Sequence, residues 1–186
     1  MKKLILLLAL AMALSSLAQE KTSKKPFTAQ VEAGYLFGGQ VTTNTFLYQS
    51  GFSGRVSFIK DISQTFSLGI GAGADEYGIS TYYPTYLIVK AKSNPANNGF
   101  LAVHAGYSFT NEKNSSLQIN QEYEGGPFLE IGRGWMYEVN SKLDFIAGIS
   151  LKHQFAELET ENLVGEELEE DLNFDTFQIR IGLLIK

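Results

Sequence analysis

The chain has 186 residues, a net charge of −5, 19% charged residues and no cysteine. The lack of cysteine excludes disulfides, thiolate metal sites and the lipid-bearing cysteine of a lipoprotein. Basic residues form no cluster beyond Lys21, Lys24 and Lys25, so nucleic-acid binding is not expected.

The first residues have the pattern of an export signal. A basic start is followed by an apolar run, Leu4 to Leu14, which is shorter than the ~20 residues of a membrane-spanning helix. Small residues up to Ala18 suit cleavage by signal peptidase at that point. The sequence therefore predicts three segments: a signal peptide at 1–18, a flexible leader at 19–26 and one domain at 27–186.

From Phe27 onward, apolar residues alternate with polar or small ones, which is the period of a β-strand. Most of the runs approach the ~9–11 residues that a tilted strand needs to cross a bilayer. In chain order the eight predicted strands are 27–37, 52–58, 66–74, 86–91, 101–109, 129–137, 143–152 and 177–185.

The connections between these runs alternate between short and long. The short ones are 60–63, 93–98 and 139–142, and the long ones are 38–49, 75–84, 110–126 and 154–175. An up-and-down barrel with short periplasmic turns and long outer loops has this order, and it returns both ends of the domain to the periplasmic side.

The composition of the two strand faces separates a membrane barrel from a soluble one. The polar face is rich in Gly and Ser with about one charge per strand, whereas a water-facing surface would carry many Lys, Glu and Thr. Aromatic residues lie mostly near strand ends on the apolar face, as in the interfacial girdles of outer-membrane barrels. They are Phe27, Tyr35, Phe58, Phe66, Tyr107, Trp135, Tyr137, Phe145 and Phe177.

The polar face points into a lumen that side chains of eight strands can fill. We expect the inward charges to form salt bridges, because isolated buried charges are strongly disfavoured. Such a network would block ion conduction through the lumen. The substitution Gly71→Ser, on the same face, is expected to have only a mild effect on the barrel. The predicted lumen charges are Glu32, Arg55, Lys90, Glu130, Asp144, Lys152 and Arg180.

Arg133 does not fit this pattern. In the register that turns Ile131 and Trp135 outward, Arg133 also faces lipid, at a cost of about 2–4 kcal/mol near the midplane. Three explanations remain open: a bulge turns it inward, it reaches the headgroups, or the register of the sixth strand differs.

Two hairpins carry a resemblance to a known family. Residues 54–71 and 134–148 each show alternating apolar residues, a short polar turn and Gly on the lumen face. In this pattern the domain 27–186 resembles the small eight-stranded outer-membrane β-barrels, the group of OmpX and the OmpA membrane domain. The resemblance implies an all-β, antiparallel up-and-down transmembrane barrel in the bacterial outer membrane.

The functional prediction is a non-enzymatic, monomeric barrel without cofactor, metal or catalytic residues, acting structurally or through its outer loops. Its partners would be outer-membrane lipid and, at the acidic loop 157–175, an extracellular partner or divalent cations. One alternative is a lipid A-modifying barrel enzyme, with His153 and Glu157 as candidates. His104 and Ser108 share a strand face, but at about 13 Å along the strand they are too far apart for a direct hydrogen bond. The other alternative is a soluble, exported, lipocalin-like ligand-binding barrel.

Overall fold

A computed structural model describes residues 27–41, 46–78, 80–94, 97–110, 113–115, 119–162 and 167–186. The predicted signal peptide and leader lie outside these residues and stay predictions. In the described part of the chain, no helix is long and apolar enough to cross a membrane.

The described residues form strands joined by turns. The strands are β1 Thr28–Val41, β2 Phe46–Tyr48, β3 Gly51–Asp61, β4 Phe66–Tyr77, β5 Ser80–Asn94, β6 Asn97–Phe109, β7 Lys113–Ser115, β8 Ile119–Glu124, β9 Pro127–Asn140, β10 Leu143–Asn162 and β11 Glu167–Ile185.

Eight of these strands close into a barrel in which every pairing is antiparallel. Each of β1, β3, β4, β5, β6, β9, β10 and β11 pairs with the next in that order. The last strand pairs back with the first, with Ala29 opposite Ile185 and Tyr35 opposite Ile179. Closure leaves no exposed barrel edge, as a strand structure in lipid requires. The predicted eight-stranded up-and-down barrel is confirmed.

The faces of the barrel wall alternate as the sequence predicted. Along β3, Ser53, Arg55 and Ser57 are buried, while Phe52 and Val56 are exposed. The outer surface is thus apolar and the interior polar, the reverse of a soluble barrel. This inversion identifies the apolar face as the one that meets lipid.

The two ends of the barrel differ. At one end, which we call the turn end, residues 62–65 join β3 to β4 and residues 141–142 join β9 to β10. At the opposite, outer end, β2 folds back on β1 and β7 pairs with β8, which in turn pairs with β10. The predicted short turns of the turn end are confirmed at 62–65 and 141–142, and the assignment of that end to the periplasmic side stays a prediction.

Each of the four segments predicted as long loops contains strand residues, and the prediction of a loop is most clearly wrong in two of them. The segment 75–84 is a tight hairpin, since β4 continues to Tyr77, which pairs with Ser80 of β5. Gly78, at φ +44°, lies in the left-handed region that a residue without Cβ adopts readily. The alternation of Asp75 and Tyr77 with Glu76 continues the inward and outward pattern of β4, although its polar residues look like a loop.

The predicted acidic loop 157–175 is likewise mostly strand. The ladder between β10 and β11 continues through Glu157 opposite Asp171 to Glu161 opposite Glu167. We call residues 119–124, 156–162 and 167–174 the outer extension. Its outward positions are charged because they lie above the apolar belt. The alternation with outward apolar residues, by which the other strands were predicted, is therefore absent in this part.

Candidate functional site in the barrel lumen

The seven predicted lumen charges are all buried inside the barrel. Each of these ionisable residues is at most 7% exposed. Inward positions of six barrel strands supply them: β1, β3, β5, β9, β10 and β11. Since they come from strands on all sides, their side chains meet across the lumen rather than along one strand.

Glu130 is the centre of the largest group. One carboxylate oxygen accepts a hydrogen bond from Arg55 Nη1 at 2.6 Å, and the other lies 2.9 Å from Arg180 Nη1. The His104 ring nitrogen Nδ1 is 3.2 Å from the same carboxylate. Arg180 also approaches Glu32 at 4.0 Å. A single carboxylate therefore ties β3, β6 and β11 to β9.

Asp75 forms a second centre, which is not among the predicted lumen charges. It lies 3.2 Å from Arg55 Nη2 and 2.7 Å from Lys152 Nζ, and it accepts a hydrogen bond of 2.5 Å from Ser53 Oγ. The sequence pattern predicts a loop at Asp75. Its spacing from Gly71 and Gly73, which share the inward face, was the signal that could have found it.

Lys90 and Asp144 are buried but lie apart from these two centres. Lys90 donates a hydrogen bond to Gln30, and its ammonium lies 4.6 Å from the centroid of the Phe100 ring. Asp144 pairs with Lys186 at 2.7 Å near the turn end. The structure therefore brings five of the seven predicted charges into linked ion pairs and leaves these two with local partners.

Apolar side chains close the lumen towards the outer end. Phe174 is fully buried and stacks on Tyr77 with ring centroids 4.9 Å apart, and Tyr82 meets it at 5.5 Å. The remaining members of this cluster, which we call the outer plug, are Leu36, Ala156 and Leu172.

A second apolar group lies towards the turn end. We call it the inner plug, and it consists of Phe100, Ala102, Ile146 and Leu184. Below it, a mouth cavity of about 420 Å³ opens between two ion pairs, Lys92 with Asp61 and Lys186 with Asp144. The charged layer thus lies between two apolar layers, which the sequence analysis had not predicted.

The two histidines do not form the pairs considered for the enzyme alternative. His153 faces outward and its Nδ1 lies 2.5 Å from Asp175, rather than pairing with Glu157. The strand positions opposite His153 are Leu129 and Asp175, and none of the described neighbours there is a serine. Ser108 donates to Gln154 instead of meeting His104.

Arg133 faces outward, in the register that the sequence suggested. It lies between Leu101 of β6 and Ile149 of β10, and its guanidinium carbon is 5.3 Å from the centroid of the Trp135 ring. The only irregularity between β9 and β10 is at Leu143 and Asp144, among the residues described. A bulge or a different register is therefore not the explanation for Arg133.

Comparison with known proteins supports the fold. No protein-family model and no curated protein sequence matches the chain. The solid-state NMR structure of outer membrane protein AlkL in DMPC lipid bilayers superposes with a TM-score of 0.58 at 10% identity, covering 90% of this chain and 95% of that one. The crystal structure of Neisserial surface protein A superposes with a TM-score of 0.56 at 14% identity, covering 86% and 96%. The chain has the fold of small outer-membrane β-barrels, and the predicted outer-membrane localisation agrees with these neighbours.

Proposed function

We propose that the protein is a non-enzymatic integral outer-membrane barrel with a closed lumen, acting structurally or through its outer extension. The observation that carries this proposal is the combination of an apolar outer wall with a buried, ion-paired interior. Neither a soluble carrier nor an open channel has both features.

The outer wall is too apolar for water. Around the barrel, lipid-facing side chains such as Ile70, Leu87, Ile131 and Ile181 are more than half exposed. A monomeric soluble protein rarely exposes a contiguous apolar patch above a few hundred Å². In a bilayer the same side chains are buried in hydrocarbon, which favours the membrane setting.

Among the described residues, paired charges and two apolar clusters occupy the interior of the barrel. Arg55, Glu130 and Arg180 fill the middle of the lumen with paired charges, and the outer and inner plugs lie on either side. Conduction would require these pairs to separate and the stacked ring of Phe174 to move. We therefore expect a barrel that spans the membrane without conducting.

The outer extension carries neighbouring carboxylates. Glu157 lies between Glu124 on β8 and Asp171 on β11, so three acidic residues stand side by side across three strands. Like charges directly opposite each other destabilise a sheet, and a basic partner or divalent cations would relieve this repulsion. No group of three or more metal-ligating side chains converges among the described residues, so we propose diffuse attraction rather than a single-ion site.

The proposal can be tested in two steps. Cell fractionation should place the protein with the outer membrane, and unboiled protein should migrate differently from boiled protein on a gel. Purified protein in a planar bilayer should then show no steady porin-scale conductance. Recovery in the soluble periplasmic fraction would favour the lipocalin-like alternative, and large stable single-channel currents would contradict a closed lumen.

The enzyme alternative has its own test at His153. The His153–Asp175 pair lies at the outer edge of the apolar belt, where a lipid-modifying enzyme would act, but no serine stands next to it in the described structure. We expect lipid A from cells with the wild type and with His153→Asn to be identical by mass spectrometry. A modification present only with the wild type would establish an enzyme.

A further inference from the structure

One charge on the lipid-facing wall, that of Arg133, has no counter-charge among the residues that the structure describes. Arg133 is outward and exposed, and its neighbours across the ladders are Leu101 and Ile149. Among the described residues, no carboxylate or other hydrogen-bond acceptor contacts its guanidinium, whose contact is with the Trp135 ring. An arginine in hydrocarbon is strongly disfavoured without a partner, and the phosphate of a lipid headgroup can supply one from outside the chain.

The direction of the side chain indicates which leaflet supplies that partner. β9 runs from Pro127 at the outer end to Asn140 at the turn end, so Trp135 lies nearer the turn end than Arg133. The guanidinium carbon, 5.3 Å from the Trp135 ring centroid, therefore leans towards the turn end. Long basic side chains bend in this way to bring their charge to the headgroup region.

Aromatic residues show where that headgroup region begins. Trp135 and Tyr137 occupy successive outward positions on β9, and Phe145 pairs with Tyr137 on β10. Such aromatic belts lie at the boundary between hydrocarbon and headgroups. The indole edge of Trp135 lies against Gly99, where a Cβ would be 3.9 Å from Nε1. Gly99 thus leaves the wall flat beside the ring.

We propose that Arg133 and Trp135 form a binding site for the phosphate of a phospholipid in the leaflet at the turn end. The planar guanidinium has parallel N–H donors that match two phosphate oxygens. The acyl chains of the same lipid would lie along Ile131, Leu101 and Ile149. This inference rests on the proposed membrane location and adds a specific ligand to one position on the wall.

The composition of the chain makes a direct test possible. The sequence contains three arginines, and the other two, Arg55 and Arg180, are buried in the lumen. It also contains one tryptophan, Trp135. An arginine signal that responds to lipid phosphorus therefore reports Arg133, and tryptophan fluorescence reports the depth of the same site.

The experiment uses the protein with isotope-labelled arginine guanidinium carbons, reconstituted in phosphatidylethanolamine and phosphatidylglycerol vesicles in phosphate-free buffer. Solid-state NMR recoupling of carbon to phosphorus should attenuate one of the three guanidinium signals. The Arg133→Gln variant should lack the attenuated signal and keep the other two. In phosphorus-free maltoside micelles with added inorganic phosphate, the signal should not be attenuated, which separates a lipid headgroup from the free ion.

A fluorescence control distinguishes failure of this inference from failure of the membrane proposal. Lipids brominated near the headgroup should quench Trp135 more than lipids brominated near the chain ends. Quenching without attenuation of any arginine signal would overturn the phosphate site while leaving the membrane barrel intact. Absence of both quenching and heat-dependent gel migration would instead overturn the membrane proposal.

Discussion

The wall of the barrel and its outer extension share strands, but their apolar residues lie on opposite sides of those strands. In the wall, β11 turns Ile179 and Ile181 outward and Gln178 and Arg180 inward. Further along the same strand, Asp171 is outward and exposed, while Leu172 and Phe174 are buried inside. The strand period is unchanged, but the apolar side moves from the outside to the inside.

The change of solvent explains this reversal. Where lipid surrounds the strands, apolar side chains face outward and the charges must find partners in the lumen. Where water surrounds them, apolar side chains gain by packing together inside, as in a soluble barrel. The boundary between the two regimes passes close to the His153–Asp175 pair, and the plug of Phe174, Tyr77 and Tyr82 belongs to the water-surrounded part.

The largest effect should come from removing the central carboxylate of the wall region. Glu130→Ala leaves Arg55 and Arg180 buried without their shared partner, and breaking a buried ion pair in this way costs about 3–5 kcal/mol. The matched change in the extension, Glu157→Ala, should be neutral or slightly stabilising because it removes a repulsion. Urea unfolding in vesicles measures the free energy of unfolding of both variants. Equal losses would contradict the difference between the ion-paired wall and the water-exposed extension.

A comparable loss of unfolding free energy is expected when a buried side chain inside the extension is truncated. Phe174 is fully buried against Tyr77 and Tyr82, and a buried Phe→Ala change typically costs about 3–5 kcal/mol. Phe177, on the same strand, faces outward and is 38% exposed, so Phe177→Ala should cost clearly less. The unfolding free energies of the two variants test this difference. A larger loss for Phe177→Ala than for Phe174→Ala would contradict the inward position of the plug.

The outward face gives the next largest contrast. Ile181→Arg places a charge against lipid, which should cost about 2–4 kcal/mol near the midplane. Asp171→Arg, on the same strand but in water, should change stability by no more than about 0.5 kcal/mol. The folded fraction on unboiled gels after heating to a series of temperatures compares the two. Similar tolerance at both sites would mean that no bilayer surrounds the wall.

The smallest effects should come from glycines on the two faces of the wall. A Cβ at Gly71 would lie 2.6 Å from the Tyr86 ring and 2.7 Å from Ser57 Oγ, whereas one at Gly54 meets no atom within 4 Å. The expectation that Gly71→Ser is mild is therefore replaced by a cost of about 1–3 kcal/mol for overpacking. Gly71→Ala should lower the urea midpoint, while Gly54→Ala should leave it unchanged or raise it, and the opposite order would contradict the inward packing.

The sequence alone determined the strand number, the barrel closure and the two faces of the wall. Each of these depends on a local alternation imposed by contact with lipid on one side, which residues such as Ile179, Arg180 and Ile181 show directly. Arg55 and Glu130 were predicted to be inward by the same parity, but their pairing joins residues 75 positions apart. No local pattern encodes which cation meets which carboxylate.

The tertiary structure alone decided the features in which distant strands meet or the solvent changes. Asp75 became a lumen residue because β4 continues through a tight hairpin at Gly78. The outer plug formed because Leu36, Tyr82 and Phe174 come together only when the barrel closes. The direction of Arg133 towards Trp135 was likewise fixed by packing, since parity gives the face of a side chain but not the way it leans. The local alternation of residue types reflects whether lipid or water surrounds a strand. Side-chain pairing across the lumen, in contrast, depends on closure of the barrel.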